Sequence, residues 1–107
     1  MDSESLREIV KNNPKELLEL FIQDSPQLLQ ALGIAVTGGD RLELRSAAHA
    51  LKGAVSNFGA RHPQALAAEL DKVARTGDLE VAQQLVDALT LEVDRLRSQL
   101  AEIAQLA

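Results

Sequence analysis

Apolar residues recur along this chain at intervals of three and four, and no stretch alternates apolar with polar as a half-buried strand does. Helices throughout are the expectation. Asn13-Pro14 supplies an N-cap followed by a first-turn proline, with Glu16 in the capping-box position. Ser25-Pro26 repeats the cap-and-proline signal. Gly38-Gly39-Asp40 closes one helix and caps the next, with Glu43 in the box position. Gly59 ends that helix, Pro63 opens another, and Thr76-Gly77-Asp78 is a further stop and restart. These signals predict helices over roughly 3–11, 14–24, 26–37, 41–57, 63–75 and 78–105. The first is a short lead-in. The second and third run nearly together, because a proline at the start of a helix interrupts little.

Short turns make successive long helices antiparallel neighbours. The predicted fold is therefore all-α, an antiparallel up-down four-helix bundle with one or two extra short N-terminal helices, in one domain over residues 1–107. At about 1.5 Å per residue the last helix spans roughly 40 Å and outreaches its partners. Two uses are open for its far end, around Leu100 to Leu106: packing on the lead-in helix, or leading into a further domain. Leu89, Val93, Leu96, Leu100 and Ile103 lie near heptad spacing, which serves a dimer or, more commonly, intramolecular packing.

Composition narrows the chemistry. The formal net charge is −5, with both signs spread along the chain. An acidic total argues against wholesale nucleic-acid binding, which draws on Lys and Arg to neutralise phosphates. The absence of Trp and Tyr, with only two Phe, argues against a base-stacking platform. Without cysteine there are no disulfides, thiol nucleophiles or zinc-thiolate sites. No run approaches the ~18 apolar residues of a membrane span. The acidic start, Met-Asp-Ser-Glu-Ser, is no signal peptide. No membrane association and a cytoplasmic location are expected.

The helix at 41–57 carries the chemistry. Leu44, Ala48, Leu51, Val55 and Phe58 fall on one core-facing stripe. At about 100° per residue, His49 points roughly 160° away from Leu51, into solvent. On its side lie Arg41, Arg45, Lys52, Gly53 and Ser56, a basic stripe on an acidic chain. Lys52, at i+3 from the histidine, suits neutralisation of a phosphoryl group; an ordinary solvated face is the plainer reading of such charges. Gly53, at i+4, costs roughly 1 kcal/mol against alanine within a helix. It lets either another helix pack closely or a partner's backbone approach His49. The positions three and four residues from His49 are Arg45, Ser46, Lys52 and Gly53, so no carboxylate stands by as a base. His49 reads as a nucleophile or carrier without its own catalytic machinery. His62 precedes Pro63 and reads as a loop or cap residue. The two histidines lack the further ligands that a metal site needs.

His49-x-Leu51-Lys52-Gly53, followed by Phe58-Gly59-Ala60, resembles the histidine-containing phosphotransfer (HPt) domain of multistep two-component signalling. Leu17-Leu18-x-x-Phe21 and Pro26-x-Leu28-Leu29-x-x-Leu32 look like that family's preceding helices. Leu66-x-x-Glu69-Leu70 with Gly77-Asp78-Leu79 resembles its closing pair. The resemblance implies that His49 accepts a phosphoryl group from one receiver-domain aspartate and passes it to another. It implies that Lys52 neutralises the phosphate and that Gly53 keeps a docking face open. That face is expected to include Arg45, Ser56 and Asn57, with Gln27 and Gln30 from the preceding helices. No cofactor is expected on this chain, since Mg²⁺ belongs to the receiver. Partners would be response-regulator receiver domains, a hybrid sensor histidine kinase, or both. Where the family often has a hydroxyl residue straight after Lys-Gly, this chain has Ala54-Val55. Two alternatives stand beside the carrier: a non-phosphorylated helical adaptor, and the substrate domain of a larger sensor or chemotaxis-type kinase. No Gly-rich nucleotide loop or acidic catalytic cluster is present, so the chain cannot phosphorylate itself.

Overall fold

The apolar stripes wind into five helices in the computed structural model, which describes residues 3–106. They are α1 (Ser3–Lys11), α2 (Lys15–Gly38), α3 (Arg41–Ser56), α4 (Arg61–Thr76) and α5 (Leu79–Leu106). Each of the four long helices packs on its neighbour in sequence, and α5 closes the ring on α2. The result is the expected all-α up-down bundle. Its core is mostly leucine and alanine, among them Leu32, Leu44, Leu51, Leu70 and Leu89, all fully buried. At the end where α2 begins and α3 stops, Phe21 and Phe58 meet as a tilted pair with ring centroids 5.1 Å apart.

Two of the expected turns form as read. Gly39 takes a left-handed φ of 69° after α2, and Asp40 Oδ1 accepts from the Glu43 amide at 3.1 Å to cap α3. Gly59 is also left-handed, at φ 62°, and turns the chain into α4. The restart at Asp78 forms as well, its carboxylate accepting from the Glu80 amide at 2.8 Å.

The two proline signals resolve differently from the expectation. Pro14 itself takes the N-cap position of α2, with no side-chain cap. Asn13 instead turns its amide back onto the Ile9 carbonyl at 2.7 Å and onto the Asn57 carbonyl at 3.4 Å, tying the ends of α1 and α3 together. Ser25-Pro26 is no break at all, since α2 runs through it. Its buried stripe, Leu18, Phe21, Leu29 and Leu32, continues on both sides of the proline. The ring removes the hydrogen bond that the Ile22 carbonyl would receive, a defect that with the ring's clash costs about 3 kcal/mol in an ordinary helix. Here Arg97 of α5 donates its Nε to that carbonyl at 3.4 Å. The defect is filled from the neighbouring helix, and burial of the stripe carries α2 through.

The far end of α5 takes the first of its two expected uses. It packs against α1, where Leu6 is fully buried against the core. Among the described residues no helix is long and apolar enough to cross a membrane.

Ser25 sits in the core stripe, 1% exposed, and its hydroxyl has no hydrogen-bond partner among the described residues. An unsatisfied buried hydroxyl costs about 1–3 kcal/mol. Ser25→Ala is therefore expected to stabilise the fold by about 1 kcal/mol, read as a higher urea midpoint at unchanged m-value. A lower midpoint would show that the hydroxyl is satisfied.

Candidate functional site

The buried stripe of α3, Leu44, Ala47, Ala48, Leu51 and Val55, faces the core between α2 and α4. His49 is therefore carried outward, and it is exposed. Neither the cleft between α2 and α3 nor the clefts at the bundle's ends include it. Gly53 is exposed one turn on, and Lys52 is half-buried beside it with no ion pair among the described residues. The i+3, i+4 spacing sets these two on either side of the imidazole.

A Cβ added at Gly53 would meet nothing within 4 Å. Among the described residues no helix presses on it, so of the two uses open to the glycine, close internal packing is removed. Gly33 in α2 is equally unobstructed. Open space alone therefore does not mark a site; the place of Gly53 next to an exposed histidine does.

The basic stripe expected on α3 is largely drawn away. Arg41 donates to the Ala74 and Gly77 carbonyls at 3.3 and 2.9 Å, closing off the C-terminal end of α4. Free carbonyls and the negative end of a helix attract a cation there. Arg45 pairs with Asp71 of α4 at 3.5 Å, and Arg75 shares that carboxylate at 3.9 Å. Lys52 is left as the unpaired cation flanking His49.

The remaining expected residues divide. Ser56 is exposed, but its hydroxyl donates to the Gly53 carbonyl at 2.7 Å and so serves its own helix. Asn57 is exposed at the C-cap and borders a cleft of about 130 Å³ with Leu20 and Asp24 of α2. Gln27 and Gln30 are both exposed. At about 100° per residue, Gln27 lies roughly 60° round α2 from Asp24 and flanks α3, whereas Gln30 lies roughly 120° round and faces away. His62 is exposed in the first turn of α4, beside Leu96 of α5 and away from His49.

One apolar residue joins this surface without having been expected. Leu42 is 77% exposed and stands two turns before His49 on the same stripe. Spacing at i−7 from His49 is the signal that would have found Leu42. Among the described residues no group of three or more His, Asp or Glu is placed to hold a metal ion. What the surface offers chemically is an unobstructed imidazole, one cation and a bare stretch of helix backbone.

A family model described as the Hpt domain matches residues 16–99. The chain also matches a crystal structure of histidine-containing phosphotransfer protein B (HptB) from Pseudomonas aeruginosa PAO1. That match has 32% identity and a TM-score of 0.83, and covers 98% of this chain and 91% of that one. No curated protein matches the chain.

With no contact at its missing Cβ, Gly53→Ala is expected to raise the unfolding free energy by about 0.5–1 kcal/mol through helix propensity alone. Urea denaturation followed by circular dichroism measures it. A loss of stability would reveal a contact that the open space around Gly53 excludes.

Proposed function

Because the chain belongs to the Hpt family of phosphocarriers in two-component signalling, we propose that His49 is its phosphorylated residue, charged by one receiver-domain aspartate and discharged to another. The observation that carries this reading is the outward setting of His49 on a helix whose opposite stripe is fully buried.

The step is a transfer between two activated phosphates. A lone pair on a ring nitrogen of His49 attacks the phosphorus of an aspartyl phosphate. A P–N bond forms, the P–O bond to the aspartate breaks, and the carboxylate leaves with the electron pair. Discharge runs the same exchange in reverse onto a second aspartate. Phosphoryl transfer asks for positioning and charge stabilisation more than for covalent help from the protein. Lys52 supplies charge on this side by attracting the equatorial phosphate oxygens. The receiver supplies Mg²⁺ and the acidic site around its aspartate. Gly53 lets the partner's backbone come close enough to set nitrogen, phosphorus and oxygen in line. Gln27, Asn57 and the exposed Leu42 complete the docking surface, while Arg45 supports it from its ion pair with Asp71.

Incubation with a phosphorylated receiver domain and Mg²⁺ is expected to transfer a label that is acid-labile and stable in base. His49→Gln should abolish the label; its retention would falsify the assignment of the site. Gly53→Gln should slow transfer at least tenfold without lowering fold stability, since only a partner meets the new side chain. Transfer at the wild-type rate would remove the role given to the glycine.

A further inference from the structure

The turn of α3 before His49 carries a second cation within reach of the imidazole. Arg45 stands four residues earlier, roughly 40° round the helix, and side chains at that spacing are neighbours. Helical side chains lean toward the N-terminus, so the imidazole is set back over the turn that bears Arg45. Lys52 flanks it from the following turn. A phosphoryl group on His49 would lie between two cations, and one of them is held elsewhere.

Arg45 is turned onto Asp71 of α4, with Nε 3.5 Å from Oδ1. The contact is an attraction of charges without a made hydrogen bond, because Nε is buried and has no hydrogen-bond partner among the described residues. A buried donor without a partner costs free energy. Arg75 reaches the same carboxylate at 3.9 Å, so Asp71 would keep a cation if Arg45 left. The hold on Arg45 is therefore soft, and a dianion one turn away can contest it. The other charges nearby are placed differently. Arg41 is bound to the Ala74 and Gly77 carbonyls. At about 100° per residue, Glu43 lies roughly 120° round α3 from His49, and Glu69 roughly 160° and Lys72 roughly 100° round α4 from Asp71. Asp71 is the carboxylate that faces Arg45.

We infer that Asp71 is a positioning residue for the phosphotransfer: it competes with the phosphohistidine for Arg45, and so limits how firmly the guanidinium holds the phosphoryl group. The inference rests on His49 being the phosphorylated residue. In discharge the P–N bond breaks and a P–O bond to the acceptor aspartate forms. Stabilising the carried state alone adds to the barrier of that step. With Asp71 charged, Arg45 divides between two anions. Without that charge, the phosphate is the anion left to it.

The test uses Asp71→Asn, which keeps the size of the side chain and removes its charge. Phosphoramidate phosphorylates exposed histidines of the full chain without any receiver, and ³¹P NMR then follows each phosphate through its second ionisation. His49→Gln assigns the signals. A guanidinium at the phosphate favours the dianion, so Asp71→Asn should lower the titration midpoint of the His49 phosphate by about half a pH unit. The phosphate on His62, which is exposed beside Leu96 of α5 and away from His49, should not move. In an Arg45→Gln background, Asp71→Asn should produce no such fall. With a phosphorylated receiver and Mg²⁺, Asp71→Asn should shift the equilibrium about fivefold toward the phosphorylated chain, the upper end for an exposed ion pair, and slow discharge to a second receiver. General damage to the fold would lower charging along with discharge, whereas a lost restraint raises the charged share. An unmoved midpoint in Asp71→Asn overturns the inference. So does a fall that persists in Arg45→Gln, since the carboxylate would then act by its own charge or through Arg75. A chain that shows the fall yet takes no phosphate from a receiver upholds the restraint and counts against the relay reading instead.

Discussion

Leu44, Leu51 and Val55 are fully buried along one stripe of α3, and their burial sets the rotation of that helix about its axis. Each such side chain contributes about 1.5–3 kcal/mol by leaving water. Turning α3 by one residue's worth of rotation, about 100°, would bring leucines into solvent and press charged side chains into the core. The outward direction of His49 is thus a consequence of residues that never touch the partner. The same stripe accounts for the glycine: with the helix anchored elsewhere, a loss of about 1 kcal/mol at one exposed position is small against the core that holds it.

The charges on α3 follow a second constraint, the polar groups of α4. Arg41 lies opposite the last carbonyls of α4, and Arg45 opposite Asp71. Both guanidiniums gain hydrogen-bond or ion-pair partners by leaning away from His49. The pattern seen along one helix was a basic stripe, and the bundle converts two-thirds of its arginine and lysine into joints between α3 and α4. A surface with Lys52 and the exposed Leu42 remains.

The helices, the turns at Gly39, Gly59 and Asp78, and the outward setting of His49 were legible in the sequence because each depends on local spacing and local backbone chemistry. Ser25-Pro26 misled for the same reason. Locally it has the form of a cap and a first turn; what makes an internal proline tolerable is burial of the α2 stripe together with the Arg97 side chain, distant in sequence. Asn13 misled because its amide turns back onto the Ile9 carbonyl at the end of α1, with the Asn57 carbonyl just past α3 as a second, longer partner. Arg45 and Arg41 could be placed on a face by periodicity, but which neighbour claims each guanidinium depends on the register between α3 and α4. That register is a tertiary fact that no spacing rule contains.

The diversion of the arginines has a bearing on the proposed carrier role. A phosphoryl group that must leave as readily as it arrives should not be held too firmly in the intermediate. Arginine binds phosphate through a planar fork with two parallel hydrogen bonds, whereas lysine offers a mobile point charge. Binding that stabilises the carried state as strongly as the transition state would not speed either transfer. Here the guanidinium nearest in sequence to His49 is tied to Asp71, and the cation left beside the imidazole is a lysine. With no carboxylate base and no enclosing cleft, little on this chain favours the phosphorylated histidine over either aspartyl phosphate. On the proposed role, the direction of flow would rest with receivers docking across Gly53, and the ion pair between Arg45 and Asp71 would be part of what keeps the carrier neutral between them.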